Sequence, residues 1–130
     1  MVIDSSALIA LLSMEVEAHR LVQVIEADPH RLISAASLIE CAIVIESRYG
    51  EAGGRELDLL VAKAGLSVQP VDVEQAQLAR DAWRRYGKGR HPAGLNYGDC
   101  FSYALAKASG EPLLFKDEDF SKTDIAAVAY

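Results

Sequence analysis

The sequence predicts an α/β fold in which short strands form a mainly parallel central sheet flanked by helices, and three observations carry that prediction. Apolar runs with strand character recur at Met1–Ile3, Arg31–Ser34, Leu66–Val71 and Leu113–Phe115. Stretches with helical apolar spacing separate each run from the next. Capping residues, Gly or Pro close the passages between them. Strands that alternate with helices in this way pair in parallel, because the chain must cross over through a helix to begin the next strand in the same direction. The 130 residues suit a single domain, residues 1–130, with a core of its own.

Met1–Ile3 reads as a buried first strand whose end, Asp4-Ser5-Ser6, caps a helix over residues 6–13. A second helix, 15–27, places Ala18, Leu21, Val22 and Ile25 on one face and ends at Asp28-Pro29. Leu32 and Ile33 are the core of the second strand. Ser37-Leu38-Ile39-Glu40 has the S-x-x-E spacing of a capping box, opening a helix that runs to Tyr49 and stops at Gly50. Between Leu38 and Ile45 only Glu40 is polar, so this helix is expected to be buried all round, in the core or against another subunit. A helix over 54–64 turns Leu57, Leu60, Val61 and Ala64 to one side before Gly65. Leu66–Val71 alternates as a third strand, which Pro70 confines to an edge or an end. Asp72 and Gln75 open the next helix in capping-box fashion, and it runs to Tyr86. A loop over 87–98 with four glycines follows. The helix 97–109 turns Phe101, Ala104, Leu105 and Ala108 inward and stops at Gly110. Leu113–Phe115 is the fourth strand and Ile125–Ala129 a short fifth.

Composition narrows the function. A net charge of −6 and a pI near 5.0 exclude nucleic-acid binding through the overall field, so any such contact must be local. Cys41 and Cys100 are too few for a disulfide framework and have no metal-pair spacing, so buried free thiols are expected. Asp4 stands where a secretory signal needs basic residues, and the apolar run Leu8–Leu12 is too short to span a membrane. The expectation is a reduced, cytoplasmic protein with no membrane contact.

Connectivity then brings the acids together. In a parallel sheet each strand delivers the chain to its C-terminal edge, and a helix feeding a parallel strand starts at that same edge. Asp4 ends the first strand and Glu40 lies in the first turn after the second. Asp99 opens the helix that feeds the fourth strand, and Asp117 and Asp119 follow that strand. All five project toward the edge where open α/β sheets bind ligands. Each has a plain structural role when taken alone, as cap, capping-box member, helix-dipole partner or solvated loop residue. Together, like charges in a partly buried pocket call for a raised pKa or a cation. Oxygen donors without His or Cys favour Mg²⁺ or Mn²⁺ over Zn²⁺, and such ions serve phosphodiester hydrolysis.

Four ordered blocks, VIDSSALIALL, SAASLIECAIVIESRYG, LNYGDCFSYALAKASGEPLLFK and DEDFSKTDI, resemble the PIN-domain ribonucleases, and among them the VapC toxins of bacterial toxin–antitoxin pairs. The resemblance covers nearly the whole chain and implies a three-layer PIN-like fold. It implies Asp4, Glu40 and Asp99 as metal-holding acids, and a fourth from the turn after the last strand, Asp119 by preference or Asp117. Many relatives have a Gly in that turn where this sequence reads KDEDF. Ser6 resembles the small hydroxyl residue that accompanies the first acid, and Ser102 lies one turn beyond Asp99; both are expected to support the site. The implied activity is Mg²⁺-dependent hydrolysis of RNA by a metal-activated water, leaving 5′-phosphate and 3′-hydroxyl ends. The implied partners are a VapB-like antitoxin that inserts an Arg or similar group into the acidic pocket, and a second copy in a homodimer.

Arg80, Arg84, Arg85, Lys88 and Arg90 form the basic concentration of an acidic chain and are the candidates for the RNA backbone, with Lys116 for a phosphate or an acid of the site. Two other classes gather acids or keep this fold. A receiver-like phospho-switch wants an acidic pair after the first strand, where Asp4 is followed by Ser5-Ser6, and a haloacid-dehalogenase-type phosphatase wants an acid at Ser6. A degenerate PIN fold kept for protein binding would not retain every acid of the pattern.

Overall fold

The computed structural model describes residues 1–130. Four short strands, β1 (Val2–Ile3), β2 (Leu32–Ser34), β3 (Ser67–Gln69) and β4 (Leu113–Leu114), pair in parallel in the order β3-β2-β1-β4. The helices are α1 (Ser5–Leu12), α2 (Ala18–Ala27), α3 (Ala35–Lys63), α4 (Val73–Tyr86) and α5 (Tyr97–Ser109), and a 3₁₀ turn covers Asp119–Lys122.

Alternation of side chains along the strands divides the core in two. Ile3, Ile33 and Leu114 face one layer, packing with Leu8 of α1, Leu21 and Ile25 of α2 and Cys41, Ile45 and Leu57 of α3. Val2, Leu32 and Leu113 face the other, packing with Ala82 of α4 and Tyr103 and Leu105 of α5, closed by Phe120. This is the three-layer arrangement expected. From β1 the chain steps outward through β2 to β3 with α1, α2 and α3 on one face, then returns with α4 and α5 on the other face to place β4 beside β1. The winding therefore reverses between β1 and β4, and it is outside the carboxyl ends of strands at such a switch point that open α/β sheets leave a crevice.

Several expectations change. The Ser37–Glu40 capping box does not form. Ser34, at the end of β2, caps α3 by accepting the Ala36 N–H, which frees both Ser37 and Glu40 for other partners. Nor does the chain's own core bury this helix all round: Ile39 is 60% and Ile43 62% exposed, which excludes the first of the two coverings expected and leaves a second subunit as the other. The chain is helical on both sides of Gly50, which breaks α3 at φ 68° and ψ −163°, a conformation a side chain would oppose. Its second half starts directly after Gly50 rather than at Gly54. The second helix begins at Ala18, where its apolar spacing starts, rather than at residue 15. Asp72 caps α4 through the Gln75 N–H, and Gly110 ends α5 in the left-handed region at φ 70°. β3 is an edge strand as Pro70 requires, and the fifth strand shrinks to one bridge between Leu113 and Ala127. No helix is long and apolar enough to cross a membrane.

Candidate active site

A cleft of about 320 Å³ opens at the carboxyl edge of the sheet, lined by Asp4, Ser6, Glu40, Asp99, Lys116 and Asp117 among others. Besides Glu15, which pairs with Lys116, its carboxylates come from four separate places, and hydrogen bonds fix Asp4, Glu40 and Asp99. Asp4 leaves β1 in extended conformation and caps α1, accepting the Ser6 N–H on Oδ2 at 3.0 Å. Its other oxygen accepts the Ser102 hydroxyl at 2.5 Å, and Ser102 in turn lies 3.0 Å from the Ser37 hydroxyl. With the Ser102 hydroxyl donating to Asp4, the Ser37 hydroxyl is left to donate to Ser102, so three buried groups from the end of β1, α5 and α3 form one chain. Glu40 sits on α3 and accepts the Ser5 hydroxyl at 2.6 Å. Asp99 and Asn96 make a reciprocal capping box at the start of α5, each side chain accepting the other's backbone N–H. Lys116 donates its N–H to the Ser6 hydroxyl, tying the turn after β4 to α1.

None of Asp4, Glu40, Asp99, Asp117 or Asp119 forms an ion pair. The Lys116 ammonium instead holds Glu15 at 2.6 Å and Glu17 at 3.8 Å. Burial raises the pKa of Asp4, an effect that hydrogen bonds from Ser102 and Ser6 oppose and the Glu40 charge reinforces. Asp99 is pushed up to about 7, first by desolvation, with the Asn96 hydrogen bond opposing and the charges of Asp4, Asp119 and Glu40 adding. Desolvation and the neighbouring Asp119 raise Asp117 as well. The competition between Asp117 and Asp119 thus has two sides: Asp117 lines the cleft, whereas Asp119, at the start of the 3₁₀ turn, is the one whose charge reaches Asp99.

No three of these side chains are disposed to enclose a metal ion as they stand. The donor set is nevertheless all oxygen and, although Lys116 and Arg48 also line the cleft, none of its acids is ion-paired, which fits an ion of the Mg²⁺ kind that keeps several waters and takes few direct carboxylate bonds. Gly98 leaves the room that the Glu40 carboxylate occupies, because a Cβ there would collide with it.

With this geometry in view, comparison with known proteins is decisive. A PIN domain model matches residues 1–126. The chain is 62% identical over 129 residues to ribonuclease VapC30 of Mycobacterium tuberculosis, covering 99% of this chain and 98% of that one. The chain belongs to the PIN domain family, among its VapC ribonucleases. Its fold superposes on the crystal structure of VapC20 from M. tuberculosis, a toxin that cleaves the sarcin–ricin loop, with a TM-score of 0.80 at 18% identity over 99% of this chain and 98% of that one. It also matches VapBC2 of Rickettsia felis, bound to a DNA fragment from its promoter, with a TM-score of 0.75 at 11% identity over 98% and 96%.

In this PIN domain the basic segment divides. Arg80 and Lys88 line a separate cavity beside the cleft. Arg90 stacks on Trp83 at 4.2 Å. Arg84 pairs with Asp81 at 3.3 Å, and Arg85 lies 3.7 Å from Asp124 and against the Tyr86 ring. Sequence reasoning missed Ser5, Ser37, Asn96 and Gly98. Asn96 was within reach, since N-x-x-D three residues apart before an apolar run has capping-box spacing; the roles of Ser5, Ser37 and Gly98 depend on tertiary neighbours.

Proposed function

We propose that this PIN domain is a divalent-metal-dependent endoribonuclease and the toxin of a toxin–antitoxin pair. The observation that carries the reading is a set of carboxylates delivered by separate elements to one sheet edge, none of them held in an ion pair although Lys116 and Arg48 also line the cleft. Asp4 and Asp99 would hold Mg²⁺, or Mn²⁺ in its place, with Glu40 and Asp119 or Asp117 acting directly or through water. When bound, such an ion neutralises charge on a phosphodiester and makes a bound water acidic.

The protein's own contribution is positioning. Ser102 and the Ser6 N–H fix both oxygens of Asp4, Ser5 fixes Glu40, and Asn96 fixes Asp99. Rigid placement of this kind removes reorganisation from the reaction. The thiols are not nucleophiles: burial pushes Cys41 up to about 12 and Cys100 to about 11, so both stay protonated at neutral pH.

The same uncompensated acidity suits an inhibitor that inserts an Arg or Lys, which is the part a VapB-like antitoxin would play. Ile39 and Ile43, exposed on α3 beside Phe101, offer an apolar face for a second copy in a homodimer. The reading is tested by incubating the purified protein with RNA in Mg²⁺ and in EDTA. Cleavage should require the metal and disappear in Asp4→Asn and Asp99→Asn proteins that remain folded. Full activity of Asp99→Asn in a nuclease-free preparation would refute the site.

A further inference from the structure

The largest cavity of the molecule plays no part in the chemistry above. It lies between α4 and α5 and measures about 690 Å³, within the roughly 300–1,000 Å³ of small-molecule pockets. Its wall is aromatic, with Trp83 from α4 and Tyr97 and Phe101 from α5, and two cations stand on it, Arg80 and Lys88. Trp83 stays 46% and Tyr97 81% exposed even though Tyr97 meets Phe101 edge-on at 4.9 Å, so much aromatic surface is left open to solvent. Neither Arg80 nor Lys88 forms an ion pair. The Arg90 guanidinium, stacked on Trp83, braces the indole. Asn96 lines both this cavity and the acidic cleft, and its side chain is bonded to the backbone of Asp99, so the two adjoin at the start of α5.

We propose that this cavity is a nucleobase subsite, taking an unstacked base of single-stranded RNA from a nucleotide next to the scissile phosphate. The proposal rests on the ribonuclease reading. Aromatic faces accept any base, and adjacent cations meet the phosphates on either side of it. An apolar peptide would match the rings but leave Arg80 and Lys88 without a partner, whereas a base attached to its phosphates satisfies both. In a chain of net charge −6 these cations and rings, in a cavity that shares Asn96 with the acidic cleft, supply the local attraction that the overall field denies.

Trp83 is the chain's sole tryptophan, so its fluorescence reports on this cavity. The test titrates the full-length wild-type protein, in EDTA to prevent cleavage, with hexaadenylate, hexauridylate and an abasic ribose-phosphate hexamer of equal charge. The two base-bearing hexamers should quench Trp83 saturably and the abasic one should not. Binding of labelled hexaadenylate should weaken about tenfold or more in Trp83→Ala, the loss expected for one base–aromatic stack, and recover in Trp83→Phe. Unchanged fluorescence from a preparation that cleaves RNA with Mg²⁺, or equal quenching by the abasic hexamer, overturns the subsite and leaves the nuclease standing. Quenching without any cleavage overturns the nuclease reading and keeps the base site. Should Trp83→Ala fail to fold, the wild-type titration and Trp83→Phe decide.

Discussion

Replacing Asp99 by Asn should stabilise the metal-free protein at high pH while abolishing its activity. Folded Asp99 keeps its proton up to about pH 7, whereas the ordinary value is 3.8. Between these values the folded state binds more protons than the unfolded chain, so each rise in pH favours unfolding, and the full cost is present above about pH 7. The gap between 3.8 and about 7 sets a ceiling of roughly 4 kcal/mol at ~1.36 kcal/mol per unit. The side chain is only partly buried and water screens it, so about 1–2 kcal/mol is expected. Asn keeps an oxygen for the Asn96 N–H but loses the helix-dipole attraction of a carboxylate, ~0.3–1 kcal/mol, which is too small to reverse the sign. Urea unfolding in EDTA should therefore show Asp99→Asn more stable than wild type at pH 8, with the difference vanishing by pH 4. Millimolar Mg²⁺ should narrow it by stabilising wild type alone. If Asp99→Asn is less stable than wild type at pH 8 in EDTA, Asp99 is chiefly a helix cap and the pocket carries no uncompensated charge.

Other perturbations separate the parts of the site. Gly98→Ala forces the Glu40 carboxylate away from Ser5; cleavage should fall at least tenfold while urea stability shifts by less than ~1 kcal/mol, because the better helix former offsets the lost hydrogen bond. Ser102→Ala removes the donor to buried Asp4 and strands Ser37, so stability should drop by ~1–3 kcal/mol and the acid limb of the pH–rate profile should move to higher pH. Replacing Arg80 and Lys88 by Gln should reduce the slope of log binding against log salt by about 1.4, two phosphates on a single strand. Replacing Arg84 and Arg85, already engaged with Asp81 and Asp124, should change it less in the same RNA-binding titration.

What the sequence made legible was connectivity. Asp4, Glu40 and Asp99 follow from strand order, because in a parallel sheet the end of a strand and the start of a feeding helix share an edge, whatever the side chains do afterwards. Errors arose where two local solutions were equally good. Ser34 and Ser37 are both able to cap α3; the end of β2 selects Ser34, and Ser37 turns to Ser102 instead. Ile39 and Ile43 read as covered either by the core or by another subunit, because an apolar residue looks the same in both cases, and within the chain they are exposed. Ser6 and Ser102 were expected at the site, yet their division of labour, one tying Lys116 and the other Asp4, depends on contacts 110 and 98 residues apart. Arg85 left the basic group for the same reason, drawn by Asp124. The place of Asp117 against Asp119 stayed open in the sequence because both lie in one short turn, and the folded turn sends one to the cleft and the other's charge to Asp99.

The central claim is that carboxylates converging on one sheet edge make this chain a metal-dependent ribonuclease. Sequencing of RNA ends after incubating total RNA with the protein tests it most directly. Discrete cleavage sites bearing 5′-phosphates, present with Mg²⁺ and absent both in EDTA and with Asp99→Asn, are the predicted result. Identical end profiles from wild type and Asp99→Asn would contradict it.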